Sequence, residues 1–202
     1  MLAQRGKEIS IRVAGVELMN SRDHSSEDEL GRQSAARITS AKAPRVLIGG
    51  LGFGFTLRAA LDALPAEAKV DVVELVPAIV RWNRTILAEL AGNPLADPRV
   101  TVIEDDVKNV IEKATGYDAI VLDVDNGPNP IYDGNADLYK RRGLSAAKAA
   151  LAHGGWLAVW SSFSSKTFTT WLRDVGFHSE LVTLKSKFKG GPTHYVWFAR
   201  RP

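Results

Sequence analysis

The chain has 202 residues, 45% of them hydrophobic and 24% charged. This is globular composition and excludes a disordered, fibrous or low-complexity chain. Twenty-six basic against 23 acidic residues leave a formal charge of +3, too small to imply a polyanionic partner, and the absence of cysteine excludes disulfides and thiolate metal sites. No apolar run approaches the roughly 18 residues needed to cross a bilayer, and the first residues lack a secretory-type apolar stretch. A cytoplasmic protein with no membrane partner is the expectation.

In chain order, residues 9–19 alternate apolar and polar side chains on both sides of Ala14-Gly15, which predicts a hairpin. Ser26-Glu27-Asp28-Glu29 has the form of a capping box, so a helix is expected from there to about Ile38. Ser40 to Pro44 reads as a linker. The division that follows is an N-terminal hairpin and helix over 1–40 and one α/β domain over 41–202.

Arg45 to Ile48 is a short apolar strand running into Gly49-Gly50-Leu51-Gly52-Phe53-Gly54, with a helix expected over Thr56 to Leu64. Val70 to Val73 is a second strand, ending at Glu74. Pro77 suits a helical first turn, and Ile79, Val80, Ile86, Leu87 and Leu90 predict one helix closed by Gly92 and Pro94. Further strands are expected over Val100–Ile103, Ala119–Leu122 and Trp156–Trp160, with helices over Ser145–Leu151 and Lys166–Val175. His178–Leu184 and Tyr195–Ala199 have no helix between them, so they should form an antiparallel pair at one sheet edge. Alternating strands and helices predict a mostly parallel sheet covered on both faces.

In such sheets ligands bind beyond the carboxyl ends of the strands. Four loops there carry chemistry. The glycines at Gly49, Gly50, Gly52 and Gly54 permit a sharp turn and close backbone approach to a ligand; alone they are a weak signal, equally suited to an unliganded turn. Glu74 follows Gly52 by 22 residues, the spacing at which nucleotide-binding sheets place an acid on ribose hydroxyls. Glu104-Asp105-Asp106 ends the third strand, where one acid suits an adenine amine and another a helix cap. Asp123-Val124-Asp125-Asn126-Gly127-Pro128 ends the fourth, where Asp123 suits a proton acceptor and the rest an Asx-type turn. Leu75 and Val107, beside these acids, are added as nucleoside contacts.

Other conspicuous residues are less telling. The four histidines lack metal-ligand spacing, and no metal is expected. Gly127 to Arg142 reads as a loop long enough for a lid, in which Tyr132 suits stacking or an acceptor pocket and equally a surface position. The basic C-terminal stretch around Lys185, Lys187 and Lys189 reads as a solvated edge, with nucleic acid an improbable partner.

Arg45-Val-Leu-Ile-Gly-Gly, Val72-Val-Glu74-Leu-Val-Pro77, Asp97-Pro-Arg-Val100 followed by Asp106, and Tyr117-Asp-Ala-Ile-Val-Leu-Asp123 together resemble spermidine synthases. These are polyamine aminopropyltransferases on the class I S-adenosylmethionine-dependent methyltransferase fold. The resemblance implies strand order 3-2-1-4-5-7-6 with strand 7 antiparallel, and a homodimer. It implies that the glycines cradle the aminopropyl or methionine end of the co-substrate. Glu74 would hold the ribose, Asp106 the adenine amine, and Asp123 would act as acid/base toward a small amine.

Three departures stand out. Gly52 occupies the place of an Asp that binds the amine of decarboxylated S-adenosylmethionine. Glu27 stands where a Tyr is usual, and Asn126 replaces a second Asp. A loop without an acid favours an anion, so S-adenosylmethionine itself competes with the decarboxylated form as co-substrate. Glu27, Asp125, Asn126 and Tyr132 are the candidate substrate contacts. Three readings stay open: aminopropyl transfer, methyl transfer to a small molecule, and a non-catalytic nucleoside-binding protein.

Overall fold

The computed structural model describes residues 1–13, 16–38, 41–124, 126–128 and 135–202. The chain begins with a three-stranded antiparallel sheet of β1 (Leu2–Arg5), β2 (Glu8–Val13) and β3 (Val16–Asn20). β2 and β3 are the predicted hairpin, whose turn residues Ala14 and Gly15 lie outside the described residues. β1 adds a strand that so short a segment, with no clear alternation, did not announce.

Helix α1 (Ser25–Ala36) follows, but the capping box does not form. The helix is capped at His24, two residues before the expected cap, which places Ser26 inside its first turn. The backbone N–H of Ser25 donates to Asp23 Oδ1 at 3.1 Å instead. Ser26 Oγ turns to Glu27, and Gln33 and Arg32 take up Glu29.

The main sheet contains β4 (Arg45–Gly49), β5 (Lys69–Glu74), β6 (Val100–Glu104), β7 (Tyr117–Leu122), β8 (Leu151–Ser161), β9 (His178–Lys185) and β10 (Thr193–Arg200). Its order is β6-β5-β4-β7-β8-β10-β9. The pairings from β6 through β8 are parallel, and β10 runs antiparallel to both β8 and β9. This is the expected order 3-2-1-4-5-7-6 with its reversed strand. The helices are α2 (Phe55–Ala63), α3 (Pro77–Asn83), α4 (Val107–Lys113), α5 (Ala136–Tyr139), α6 (Arg141–Ala150) and α7 (Lys166–Asp174).

Successive strand residues point to opposite faces, so the apolar runs feed two cores. Val46, Ile48, Val70, Val72 and Val121 pack against Leu30 of α1 and Leu57 and Leu61 of α2. Leu47, Val73, Ile120, Leu122 and Trp197 pack against Ile111 of α4, Leu144 of α6 and Phe168 and Leu172 of α7. A third cluster joins Ile11 of β2 to Phe53, Phe55 and Leu87.

Two expectations are corrected. The single helix predicted from Pro77 through Leu90 stops at Asn83 and gives way to short 3-10 turns at Ala88–Ala91 and Pro94–Ala96. Asn83 Nδ2 donates to Ile79 O and to Gly52 O, and the Leu87 N–H donates to Trp82 O as the chain turns. Leu87 thereby enters the third cluster while Ile86 points outward. The segment from Gly127 to Arg142 is also less loop-like than expected: it holds α5 and the start of α6, and residues 129–134 lie outside the described residues.

The motif Asp97-Pro-Arg-Val100 is a clamp for the fold. Asp97 accepts from Arg99 Nε at 2.9 Å and Nη2 at 2.7 Å, and Arg99 Nη1 donates to the Leu64 carbonyl beyond α2 at 3.0 Å. The guanidinium beside it holds Asp97 down at a pKa of about 2.

Candidate active site

The tips of β4, β5 and β7 are tied to one another by backbone. Gly50 N–H donates to Val73 O and Asp123 N–H donates to Gly49 O, each at 2.9 Å. The chain then turns at Gly50 with φ +88°, and a Cβ there would overlap the Asp123 carbonyl oxygen. Only glycine allows both the positive φ and this approach. The packing therefore fixes the first loop directly against Asp123.

Glu74, at the end of β5, is only 6% exposed. Its Oε2 accepts from Leu51 N–H at 3.0 Å and its Oε1 from Val76 N–H at 2.8 Å. The carboxyl group thus braces the glycine loop. Leu75 beside it is 53% exposed, an apolar side chain facing outward next to the strand tip. At the end of β6, Asp105 Oδ1 accepts from Asp106 N–H and Asn109 Nδ2, and Asp106 caps α4 through its Oδ1 on Lys108 N–H at 2.9 Å. Asp106 Oδ2 makes no hydrogen bond among the described residues. Val107 is buried beneath Gly49, where its Cγ2 would lie 2.8 Å from a Cβ.

Asp123 follows β7. Its Oδ2 accepts from Thr56 Oγ1 at 2.6 Å, and its Oδ1 has no hydrogen-bond partner among the described residues. Burial pushes this carboxyl up to about 6, against the opposing pull of the Thr56 hydroxyl.

Glu27 comes to the same place from α1. Helix α1 crosses α2 at Gly31, whose missing Cβ would overlap the Thr56 carbonyl oxygen. Glu27 is one turn earlier on that face, so it stands over the start of α2 and beside Asp123. Ser26 Oγ donates to Glu27 Oε2 at 2.6 Å. Burial, then the negative charge of Asp123, push Glu27 up to about 7.

Asn126 is engaged by the fold: its Oδ1 accepts from Ser162 N–H at 3.0 Å, and its carbonyl accepts from the buried Ser161 Oγ. This links the β7 loop to the end of β8. Gly54 faces Pro94 and Asn83 within the protein. Asp125 and Tyr132 lie outside the described residues. The structure therefore brings Gly49, Gly50, Glu74, Asp123 and Glu27 together around the tips of β4, β5 and β7, with Asp105 and Asp106 at the adjacent tip of β6.

Three residues of this region, Thr56, Asn83 and Met19, were not singled out from sequence, and Ser26 was read only as a helix cap. Thr56 and Ser26 hold the two acids. Asn83, 1% exposed, ties Gly52 O to α3 at 2.8 Å. Met19, at the end of β3, fills the space over Gly52: a Cβ there would meet its Cε at 2.7 Å and its Sδ at 2.9 Å. A serine or threonine at a helix start is a readable signal; nothing local marks Met19 or Asn83.

Residues 35–198 match the family model of the spermine/spermidine synthase domain. The chain belongs to this family. Among curated relatives, a polyamine aminopropyltransferase of Corynebacterium efficiens is 36% identical over 133 residues, covering 63% of this chain and 24% of that protein. One from Prochlorococcus marinus is 31% identical over 153 residues, covering 75% of this chain and 50% of the relative. The chain thus spans a quarter to a half of the length of these synthase relatives. Among solved structures, the spermidine synthase of Thermotoga maritima superposes with a TM-score of 0.74 at 16% identity, over 100% of this chain and 72% of that one. Human methyltransferase-like protein 13 in complex with SAH gives 0.62 at 18% identity, over 88% and 80% of the two chains. These likenesses establish the fold, which synthases and methyltransferases share. No described helix is long and apolar enough to cross a membrane.

Proposed function

We propose that the protein transfers an aminopropyl group from decarboxylated S-adenosylmethionine to a small primary amine, with Asp123 as acid/base. The observation that carries this reading is Asp123 itself. It is a carboxyl raised toward neutrality, with one oxygen free of partners among the described residues, set against the glycine turn in a chain of the synthase family. A group titrating near the working pH is suited to accept and return a proton.

The surrounding residues fit the nucleoside. Glu74 is buried at the strand tip where a ribose would lie, Asp106 keeps one oxygen without a partner among the described residues and so available toward an adenine amine, and Leu75 offers an apolar surface beside them. Bound decarboxylated S-adenosylmethionine supplies the activated carbon next to its sulfonium. The chain's part is to position that carbon against the amine and to hold the amine's proton at Asp123. The homodimer belongs to the same reading and rests on the family resemblance; the cytoplasmic location belongs to it too and rests on the composition of the sequence.

Methyl transfer from intact S-adenosylmethionine is the second reading. It is favoured by one observation: Gly52, with Met19 over it, offers no carboxylate to a lone ammonium. Calorimetry of the purified chain separates the two. Tighter binding of the decarboxylated form supports aminopropyl transfer, and tighter binding of the intact form overturns it. With decarboxylated S-adenosylmethionine and putrescine, Asp123→Asn should lower kcat by about 100-fold or more while leaving 5′-methylthioadenosine affinity within about threefold. Unchanged turnover would remove Asp123 from its role.

A further inference from the structure

The acids at this site divide into two kinds. Glu74 has both oxygens on backbone N–H groups, and Asp105 and Asp106 each accept a backbone N–H at the start of α4. Those carboxyl groups shape loops. Glu27 and Asp123 are instead held by the hydroxyls of Ser26 and Thr56, and the charge of Asp123 acts on Glu27. The contact of Gly31 on Thr56 fixes the approach of α1 that makes this possible.

Charge has also left a neighbouring place. Gly52 stands where the resemblance puts an aspartate, and the volume such a side chain would enter is taken by the thioether of Met19. Glu27, in turn, stands where the resemblance puts a neutral tyrosine. Against the pattern the resemblance implies, the glycine loop lacks a carboxylate and helix α1 carries one, beside the group proposed to accept the proton.

We propose that Glu27 is a specificity-determining residue of this site, forming with Asp123 a two-carboxyl seat for the ammonium form of a primary alkyl amine. This rests on the reading of Asp123 given above and deepens it by assigning a second residue and the charge state of the substrate it selects. An alkyl amine resembles the lysine side chain, with an ordinary pKa of about 10.4, so it arrives protonated at neutral pH. Two neighbouring carboxylates match that cation. One takes an N–H proton and becomes neutral; the other stays charged and keeps the remaining N–H groups oriented. The freed nitrogen lone pair then forms the N–C bond, and the C–S electron pair goes to sulfur, leaving a neutral thioether. The product is a secondary ammonium ion, and the proton on the carboxyl pair passes to solvent. A tyrosine at position 27 would orient the amine without supplying the second charge.

The test uses the full chain saturated with 5′-methylthioadenosine and titrated at pH 8 with putrescine, cadaverine and propylamine. The wild type should bind at least one of these amines. Glu27→Gln, which keeps the shape and removes the charge, should weaken that binding by about 10-fold or more, and Glu27→Asp should recover most of it. Affinity for 5′-methylthioadenosine should stay within about threefold in all three proteins. Amine binding by Glu27→Gln within about twofold of wild type overturns the proposal. So does a wild type that binds the nucleoside and none of the amines, or an equal loss of nucleoside and amine affinity in Glu27→Gln. A wild type that binds amines through Glu27 but transfers no aminopropyl group sustains this seat and overturns the proposed reaction, so the two fail separately.

Discussion

Thr56 shows how one hydroxyl sets the working state of an acid. Its hydrogen bond favours the ionised form of Asp123 and opposes the upward push of burial. Thr56→Val keeps the volume and removes the donor, so the Asp123 pKa should climb further. The acidic limb of the pH–rate profile should then move to higher pH by about half a unit or more, with kcat on the alkaline plateau changed less than at pH 6. At this scale the sequence was readable where chemistry coincides with a strand end: Glu74, Asp106 and Asp123 all follow apolar runs. It was opaque for Thr56 on Asp123 and Met19 on Gly52, because those partners lie far apart in the chain and meet only when the fold closes.

Among the elements, α3 ends at Asn83, whose side-chain amide bridges the Ile79 carbonyl of that helix and the Gly52 carbonyl of the glycine loop. That bond holds the glycine loop from behind. Asn83→Ala removes the donor to the half-buried Gly52 carbonyl and a 1% exposed side chain, so it should destabilise the protein by about 1–3 kcal/mol. It should also weaken 5′-methylthioadenosine binding by about 10-fold, measured by denaturant titration and calorimetry; unchanged affinity would show that the loop holds its shape unaided. The strands were legible because a parallel sheet covered on both faces demands nearly continuous apolar runs. The break in α3 was not, since Ile86, Leu87 and Leu90 keep helical spacing. Only the third cluster, which draws Leu87 inward toward Phe53 and Phe55, distinguishes a folded turn from a continued helix.

Across the whole molecule the raised acids become a pH dependence of stability. The ordinary value for Glu27 is 4.5 and its value in the fold is about 7. Between these the folded protein holds a proton that the unfolded chain has released, so this group's contribution falls as pH rises through the window. Burial and Asp123 raise it, and Ser26 and His24 pull it back. His194 works the other way: burial beside Trp160 pushes its pKa down, so its contribution improves as pH rises toward its ordinary 6.5. The comparison of Glu27→Gln with wild type cancels the histidine. The variant should gain at least about 2 °C in Tm relative to wild type between pH 5 and pH 8, and parallel Tm curves would mean that Glu27 is not held in its raised state.

The contact of Met19 with Gly52 joins the N-terminal sheet to the first glycine loop of the main sheet. The thioether is the flexible end of its side chain, so a larger residue at position 52 would ask Met19 to swing aside and would also have to adopt a φ of +52°, which favours glycine. The small sheet is thereby a strut on the large one: what is substituted at either end of this contact is felt at the other.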